Sequence, residues 1–321
     1  ALSALEGRVA VDPAAVPRGV TRALEAAGCR VVRAPSPLAE AKAVKTPDEL
    51  RAMERAGRLA SRAKAAALAW LRAETDAGRA VTEAGFRDRL EALYRSLPGF
   101  RDLSFPTIAA AGEHAAVVHY AGADETPLRP GELFLVDSGV QLDGGTTDAT
   151  RTVAVGAPTP EQRRIYTLVL RAHIAAARMV FPEEAPGAAV DAVCRAVLWE
   201  AGLDYGHGTG HGVGAFLSVH EGPFALAPAS RRPASSAPLK PGMVTSIEPG
   251  SYRPGFGGVR LENLYAVVET GGTIEGRKAL GFRPLTWIPF DDRLIAPELL
   301  TPAERDWLER YHEECDRVLR G

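Results

Sequence analysis

Two pairs of carboxylates and one histidine-rich segment are the residues of this sequence best suited to chemistry. Asp137 and Asp148 flank one run of turn residues, Glu248 and Glu262 flank another, and HGTGHGVG (207–214) lies between the pairs. Like charges facing each other across paired strands destabilise a sheet, and a buried carboxylate without a partner costs more. A fold that gathers all four therefore needs a strongly positive centre, and two divalent metal ions are the simplest one.

The donor atoms of this set are hard ligands, four carboxylates and one imidazole. They suit Mn²⁺, Co²⁺ or Zn²⁺ better than copper or an iron–sulfur cluster, and four negative charges balance two divalent cations. Two such ions about 3.5–4 Å apart can share a water, lower its pKa and hold both oxygens of a tetrahedral intermediate. The residues predict metal-dependent hydrolysis without an organic cofactor.

Each acidic residue also has a structural explanation. Asp137 precedes Ser-Gly and is typical of a turn. Glu248 lies at a strand exit, where a solvated position explains it as well as a metal-ligand role does. Glu262 shares a strand face with Arg260, so an ion pair between them is the alternative there. Asp148 is predicted in mid-strand, where Asp is depleted. Four independent coincidences are improbable, which favours the metal interpretation.

Seven histidines are present, and four lie in motif-like settings: His119, His207, His211 and His220. The glycines between and after His207 and His211 argue against a helix and allow close backbone approach to a ligand. The other three are expected to be structural or solvent-exposed, with a solvated face for the last: His114, His173 and His312. The sequence contains no GxSxG elbow, P-loop or zincin spacing.

The elements that must position these residues occur twice along the chain. In the first half, Thr46, Pro47 and Glu49 form a capping pattern that predicts a helix to about residue 74. The elements expected next are a helix over 82–96, strands over 107–111 and 115–120, and hairpin strands over 132–142 and 146–155 around a turn at 143–145. The midpoint of Asp137 and Asp148 lies beside this turn, so both should be close across the hairpin, within a residue or two of direct register.

The second half repeats this order. A Thr-Pro cap at Thr159 predicts a helix to about residue 180. The elements expected next are a helix over 188–201, strands over 243–249 and 259–269 around a turn at 253–257, and a last helix from Thr301. Glu248 and Glu262 are symmetric about position 255, so they should face each other directly across this hairpin.

The bulk composition excludes several classes of protein. The 321 residues include 38 basic and 40 acidic ones for a net charge of -2, which gives no basic surface for nucleic acid or for an anionic membrane. No apolar run is long enough to span a membrane, and no signal peptide is visible. Three widely spaced cysteines without CxxC spacing argue against a disulfide framework and favour a cytoplasmic location.

Residues 1–43 form a unit of their own in the pattern. A strand over 8–11, a helix over 20–27 and a strand at 30–32 predict the end of a small α/β unit, too short to hold a core alone. A boundary is expected before Thr46. Because the chain opens on Ala1 inside this unit, we expect sequence to precede it.

Taken together, the sequence resembles the pita-bread metallopeptidases, and among them the Xaa-Pro aminopeptidases (aminopeptidase P) of the cytosolic type. The resemblance covers about residues 44–321. The segments that match are LSFPT (103–107), VHY (118–120), VDSGVQLDGGTTDATRT (136–152), LDYGHGTGHGVGAFLSVHEGP (203–223), SIEPG (246–250), GGVRLEN (257–263) and GFRPLTWIPFD (281–291). It implies an α+β pita-bread fold, in which duplicated helix-helix-hairpin units surround a dinuclear metal site with pseudo-two-fold symmetry.

The resemblance also implies a role for each site residue. The metal ligands would be Asp137, Asp148, His211, Glu248 and Glu262. Asp148 and Glu262 would bridge two divalent ions, Mn²⁺ in the first instance and Zn²⁺ or Co²⁺ otherwise. Glu248 would act as general base and acid for the bridging water, and His220 would stabilise the gem-diolate. His119 and His207 would contact the substrate around the proline, and Arg260 would orient the ligands from behind.

The activity implied is release of the N-terminal residue from peptides with proline in second position, by attack of the metal-bridging water. The alternatives are prolidase, which needs a dipeptide, metal-free creatinase, and a non-enzymatic pita-bread module that binds protein or RNA. Ser251 departs from the family's aromatic residue. Residues 1–43 would be the remnant of a creatinase-like N-terminal domain and 44–321 the catalytic domain, with a homodimer expected.

Overall fold

A computed structural model gives the structure of the protein and describes residues 5–13, 15–230 and 233–321. The chain begins with a small βαβ unit followed by a short helix: β1 (Arg8–Val11), α1 (Arg18–Ala26), β2 (Arg30–Arg33) and α2 (Pro37–Ala43). β1 and β2 pair in parallel. Val11, Leu24 and Cys29 form the small core of this unit. The predicted strands and helix are confirmed, whereas α2 was not predicted.

The first half contains two helices and a hairpin. Its elements are α3 (Pro47–Asp76), α4 (Glu83–Arg95), β3 (Phe100–Leu103), β4 (Ile108–Ala111), β5 (Leu133–Ser138), β6 (Val140–Leu142), β7 (Gly145–Thr146) and β8 (Ala149–Ala154). The capping box at Thr46 is present. The Thr46 side chain accepts from the Glu49 backbone N–H, and the Glu49 carboxylate accepts from the Thr46 backbone N–H. The predicted strand over 115–120 is wrong. A 3₁₀ turn at Gly112–Ala116 and irregular chain replace it.

The second half repeats this plan with additions. Its elements are α5 (Pro160–Ala177), β9 (Phe181–Pro182), α6 (Gly187–Trp199), β10 (Gly210–His211), β11 (Ala225–Leu226), β12 (Val244–Ile247), β13 (Gly250–Arg253), β14 (Gly257–Arg260), β15 (Asn263–Ile274), β16 (Arg277–Pro284) and α7 (Pro302–Arg320). The predicted helices at Thr159 and Thr301 are confirmed, each with a capping box. The sequence did not predict β16, which extends the sheet of the second hairpin.

Each half contains short antiparallel sheets of its own. The order is β4-β5-β8 and β3-β6-β7 in the first half, and β12-β15-β16-β9 and β13-β14 in the second. α3 and α4 pack against each other, as do α5 and α6. Each half has a core of its own, centred on Phe86, Leu90 and Phe134 in the first and on residues such as Ile165 and Val190 in the second. No helix among the described residues has the length and apolarity needed to cross a membrane.

The first hairpin has a two-residue turn at Asp143-Gly144, because Leu142 pairs with Gly145. In this register Asp137 faces Thr150, and Ser138 faces Ala149. The two aspartates are therefore diagonal rather than direct neighbours, displaced by two residues from a symmetric pairing. Diagonal positions on one sheet face are still close enough for side chains to interact.

The second hairpin has the register that the sequence predicts. Ile247 pairs with Asn263 on one side of the glutamates, and Gly250 pairs with Arg260 on the other. Glu248 and Glu262 therefore lie opposite each other. Both strands are interrupted at this level, which separates β12 from β13 and β14 from β15.

Candidate active site

Asp148, Glu248 and Glu262 lie at breaks in the hairpin strands, whereas Asp137 lies within β5. At these breaks the backbone forms hydrogen bonds to other parts of the chain. The Glu262 N–H donates to the carbonyl of Thr150 at 3.1 Å, which joins the second hairpin to the first. The Glu248 N–H donates to the carbonyl of Thr209 at 2.7 Å, which joins it to the histidine-rich loop. The three segments are thus fixed to one another beside the carboxylates.

Buried side chains from all three segments meet at this point. Asp148, His211 and Glu262 each offer a ligand atom, and these atoms lie within 4.8 Å of one another. The Nε2 atom of His211 is 3.6 Å from Asp148 Oδ2 and 3.6 Å from Glu248 Oε1. Asp137 lines the same cavity. The structure therefore brings the five predicted ligand residues to one place.

The electrostatics of this cluster are unfavourable without a cation. Burial, and then repulsion from Asp148 and Asp137, raises the pKa of Glu262 well above its ordinary value. Burial also raises the pKa of Asp148, and it raises that of Glu248 to about 7. Burial opposes charge on His211 as well, but the carboxylates of Asp148 and Glu248 outweigh it and raise its pKa to about 9.

The unsatisfied carboxylate oxygens of this cluster fit a bound metal ion. Among the described residues, Asp137 Oδ1 and Asp148 Oδ1 are buried oxygens without a hydrogen-bond partner. Buried polar atoms of this kind are rare in folded proteins and call for an explanation such as an ion. Oxygen and imidazole donors in a cluster of high negative charge are the ligands that hard or borderline divalent cations prefer. The residues could hold metal in the way that the sequence predicts.

Arg260 lies behind the cluster and is almost fully buried. Its Nη2 donates to Asp137 Oδ2 at 2.8 Å and its Nε to Thr150 Oγ1 at 3.1 Å. The Thr150 hydroxyl in turn donates to Glu262 Oε2 at 2.8 Å. The alternative in which Arg260 pairs with Glu262 is therefore wrong, since the carboxylate that it pairs with is Asp137.

Tyr252 belongs to the same network, although nothing in the sequence pattern except its place after Ser251 indicates such a role. Its hydroxyl accepts from Arg260 Nη1 at 3.0 Å and lies 2.9 Å from His207 Nε2. Burial lowers the pKa of His207 to about 4, so the ring is neutral at physiological pH. Tyr252 thereby connects Arg260, behind the acidic cluster, to His207 at the cavity wall.

A cavity of about 420 Å³ opens onto the acidic cluster. The four motif histidines line it, together with an apolar wall: His119, His207, His211, His220, Phe105, Pro106, Ile108 and Val118. The ring of His220 packs edge-on against that of His211 at 4.2 Å between centroids. The cavity thus combines an apolar wall with a few polar and charged groups, as ligand-binding pockets commonly do.

The remaining histidines lie outside this cavity. His173 is fully buried and bonds to Tyr265 and the Leu261 carbonyl. The Nδ1 atom of His114 is 2.9 Å from the carboxylate of Glu83. The prediction of a solvated face for His312 is wrong, since its ring is partly buried and its Nε2 accepts from the Phe290 N–H at 3.2 Å.

Comparison with known proteins identifies the family. The profile of Metallopeptidase family M24 matches residues 51–269, and that of the C-terminal region of peptidase M24 matches residues 278–321. The chain belongs to metallopeptidase family M24. The expected α+β pita-bread fold is the fold of this family, and the expectation is confirmed.

Individual M24 relatives resemble the chain over most of its length. A probable Xaa-Pro aminopeptidase P from Tuber melanosporum is 43% identical over 89% of the chain and 46% of its own sequence. The crystal structure of an X-prolyl aminopeptidase from Caenorhabditis elegans is described as that of a cytosolic enzyme with a di-nuclear active site. Its superposition covers 90% of the present chain and 47% of the Caenorhabditis elegans chain, with 35% identity and a TM-score of 0.86. The Xaa-Pro dipeptidase from Bacillus anthracis covers 89% and 74%, with 28% identity and a TM-score of 0.74. The chain spans about half the length of the curated relative.

Two buried basic side chains that were not among the predicted site residues support the backbone around the site. Lys64 of α3 is fully buried, and its Nζ donates to the carbonyls of Ser138 and Ala149, next to the two aspartates. Arg195 of α6 pairs with Asp191 and donates to the carbonyl of His207. The only signal for Arg195 was its i,i+4 spacing from an aspartate. Lys64 looks like an ordinary helix-surface residue in the sequence.

Proposed function

We propose that this chain is the catalytic part of a metal-dependent Xaa-Pro aminopeptidase. It would release the N-terminal residue from peptides with proline in second position. The observation behind this proposal is the meeting of Asp148, His211 and Glu262 at the floor of a cavity that the other motif histidines line. The names of the Tuber melanosporum and Caenorhabditis elegans relatives support the substrate class.

The proposed cofactor is a pair of divalent ions, Mn²⁺ first and Zn²⁺ or Co²⁺ as alternatives. The ligands would be the five predicted residues, Asp137, Asp148, His211, Glu248 and Glu262. When bound, such ions lower the pKa of a shared water and polarise a carbonyl oxygen. The family resemblance suggests Asp148 and Glu262 as the bridging residues, and the burial of both carboxylates supports their place among the ligands.

Proton transfer would be the task of Glu248. Burial raises the pKa of its carboxyl group to about 7, and its side chain keeps 19% exposure at the cavity floor. This pKa belongs to the metal-free site, and bound cations would lower it, so the proposed role rests on the position of the carboxyl group beside the other ligand residues. Glu248 would accept a proton from the attacking water and give it to the leaving nitrogen.

The histidines and the apolar wall would bind the peptide. His220, beside His211, would donate a hydrogen bond to the oxygen of the scissile carbonyl. His119 and His207 would hold the segment around the proline, whose ring suits the wall of Phe105, Pro106 and Ile108. The peptide bond before proline is a tertiary amide, so a site shaped for the ring can make it the preferred target. Arg260 would orient Asp137.

The assembly around this chain is also a proposal. Residues 1–43 would be the remnant of a creatinase-like N-terminal domain and 44–321 the catalytic domain, in a homodimer. The length of the relatives and the compact βαβ unit with its own small core support the boundary. The cytosolic description of the Caenorhabditis elegans enzyme and three buried free cysteines support a cytoplasmic location.

A substrate pair tests the proposal. The protein, stripped with a chelator and reloaded with Mn²⁺, is assayed on Arg-Pro-Pro and on Gly-Pro. We expect release of arginine from the tripeptide. Cleavage of the dipeptide alone would mean a prolidase, the rival that the Bacillus anthracis structure represents. If the protein bound no divalent metal and Mn²⁺ or Co²⁺ gave no cleavage, a binding module would be the better interpretation.

A further inference from the structure

Glu221, the residue after His220, forms an ion pair with each of two lysines from the segment that links the N-terminal unit to α3. Its Oε1 is 2.8 Å from Lys45 Nζ, and its Oε2 is 2.8 Å from Lys42 Nζ. The side chain of Lys45 is 1% exposed and that of Glu221 is 9% exposed. A charge removed from water in this way is stable only with a partner, so the Lys45–Glu221 contact is a fixed one.

Lys45 is itself held in place by backbone contacts. Its Nζ also donates to the carbonyl of Lys42 at 3.0 Å, and its N–H donates to the carbonyl of Gly242 at 2.9 Å. Gly242 precedes β12, the strand that leads to Glu248. The lysine therefore offers Glu221 a rigid anchor rather than a mobile surface charge.

The glycines that follow His211 make room for Glu221. The Glu221 N–H donates to the carbonyl of Gly212 at 2.8 Å. A Cβ atom on Gly212 would lie 2.1 Å from the Glu221 carbonyl oxygen, and one on Gly214 would lie 2.8 Å from its Oε2. Since both distances are far below van der Waals contact, the glycine-rich motif is shaped around this glutamate. The rings of His211 and His220 lie beside this contact, 4.2 Å apart between centroids.

We propose that Glu221 and Lys45 are positioning residues for His220. The ion pair fixes the loop 218–223 against the connector 42–45, and so sets the position of the His220 ring beside His211 and the acidic cluster. The connector thereby becomes part of the framework of the active site, and a displacement of the N-terminal unit would move His220. This inference rests on the proposed peptidase function and names residues that contribute to it without touching substrate.

The first test separates positioning from general stability. Glu221→Gln and Lys45→Met are each expected to lower kcat/KM on the Xaa-Pro tripeptide about 10- to 100-fold, since small displacements of a catalytic group have effects of this size. In a His220→Ala background the same changes should have almost no further effect, because the residue through which they act is gone. If the losses multiplied instead, the positioning role would be wrong.

The matched control is Lys240→Met. Lys240 pairs with Glu40 at 3.2 Å, so it also links the N-terminal unit to the catalytic part, but both side chains are about half exposed and distant in sequence from the His220 loop. It should leave kcat/KM unchanged. Should a single variant leave an unpaired buried charge and unfold, the double variant Lys45→Met/Glu221→Gln removes both charges. Its loss should equal that of one single variant, and an additive loss would contradict the inference.

A readout without catalysis keeps the inference separate from the proposed function. In the Zn²⁺-loaded protein with ¹³C-labelled histidine, the His220 ring signal is identified by its absence in His220→Ala. Lys45→Met should shift or broaden this signal, while Lys240→Met should leave it in place. An unchanged His220 signal in Lys45→Met would overturn the inference even if the tripeptide is cleaved. A shifted signal in a protein that cleaves no Xaa-Pro peptide would uphold the positioning and refute the function.

Discussion

Arg260 and Asp137 form a buried ion pair in which Nη2 and Oδ2 are 2.8 Å apart. The pair occupies one carboxylate oxygen of Asp137 and leaves Oδ1 as a buried atom without a partner among the described residues. The arginine therefore engages Oδ2 of Asp137 and leaves Oδ1 available as a metal ligand. Contacts behind a ligand often matter for metal affinity nearly as much as the ligand itself.

Replacing Arg260 by lysine should weaken metal binding. Lysine keeps the charge but cannot donate at once to Asp137, Thr150 and Tyr252 as the planar guanidinium does. We expect Mn²⁺ affinity to fall about 10- to 100-fold, measured by calorimetric titration of the metal-free protein. The control is Arg253→Lys in the same hairpin, whose ion pair with Glu161 is exposed. Equal affinities in both variants would contradict the orienting role of Arg260.

Asp148→Asn should abolish activity while leaving the metal-free protein at least as stable. Burial raises the pKa of Asp148, and Asp137 adds repulsion, so its charge is unfavourable without a cation. At pH 8 the metal-free variant should melt at or above the temperature of the metal-free wild type. Wild type should gain stability on metal addition, about 2.7 kcal/mol at 100 times Kd, and the variant much less.

Thermal melts with and without Mn²⁺ check this. Asp143→Asn provides the control, because Asp143 lies in the turn of the same hairpin with its side chain 61% exposed. It should show the metal response of the wild type. A full metal response and full turnover in Asp148→Asn would exclude Asp148 as a bridging ligand.

The sequence predicted the carboxylate hairpins well because their turns are local signals. The symmetric spacing of Glu248 and Glu262 about a Pro-Gly turn was enough to predict their register. The first hairpin was displaced by two residues, since its tight turn at Asp143-Gly144 is not centred between the aspartates. The spacing of two acidic residues about a turn therefore predicts that they lie close together. The exact register depends on which two residues form the turn.

The features that the sequence could not predict depend on distant partners. The sequence predicts a strand over 115–120, yet Glu83 of α4 accepts from the Ala111 N–H at 2.6 Å and from the Tyr120 hydroxyl at 3.0 Å. These bonds hold the chain in a compact turn instead. Lys64 likewise becomes a buried support only because the carbonyls of both hairpin strands converge on it. No spacing along the chain indicates such contacts.

Gly210→Ala should damage the site, although Gly206→Ala in the same loop should not. A Cβ atom on Gly210 would lie 2.0 Å from the carbonyl oxygen of Ser246, and the loop must then move away from β12 with His211. A Cβ on Gly206 would meet nothing within 4 Å. We expect Gly210→Ala to lose about 1–3 kcal/mol of unfolding free energy together with most of its metal affinity. Urea unfolding and metal titration of the pair check this, and equal behaviour of the two variants would contradict it.

His173 should make the protein less stable as the pH falls below about 6.5. Asn263 Nδ2 donates to the Tyr265 hydroxyl, which leaves that hydroxyl to donate to His173 Nε2 at 2.8 Å. The ring proton is then on Nδ1 and faces the Leu261 carbonyl at 3.1 Å. Burial, with the charge of Arg151 in addition, lowers the pKa of His173 to about 3. The neutral ring is therefore the form that the fold accepts.

The sign of the pH effect follows from the two pKa values. The unfolded state takes up a proton on His173 near its ordinary pKa, whereas the folded state does so only near 3. Stability from this residue is complete above the unfolded value, and it falls by up to about 1.4 kcal/mol per pH unit between the two. His173→Gln removes this proton uptake, so the free-energy difference between wild type and variant should shrink as the pH is lowered from 7 to 5. Urea unfolding of both metal-free proteins measures it, and a pH-independent difference would show that His173 does not titrate in this way.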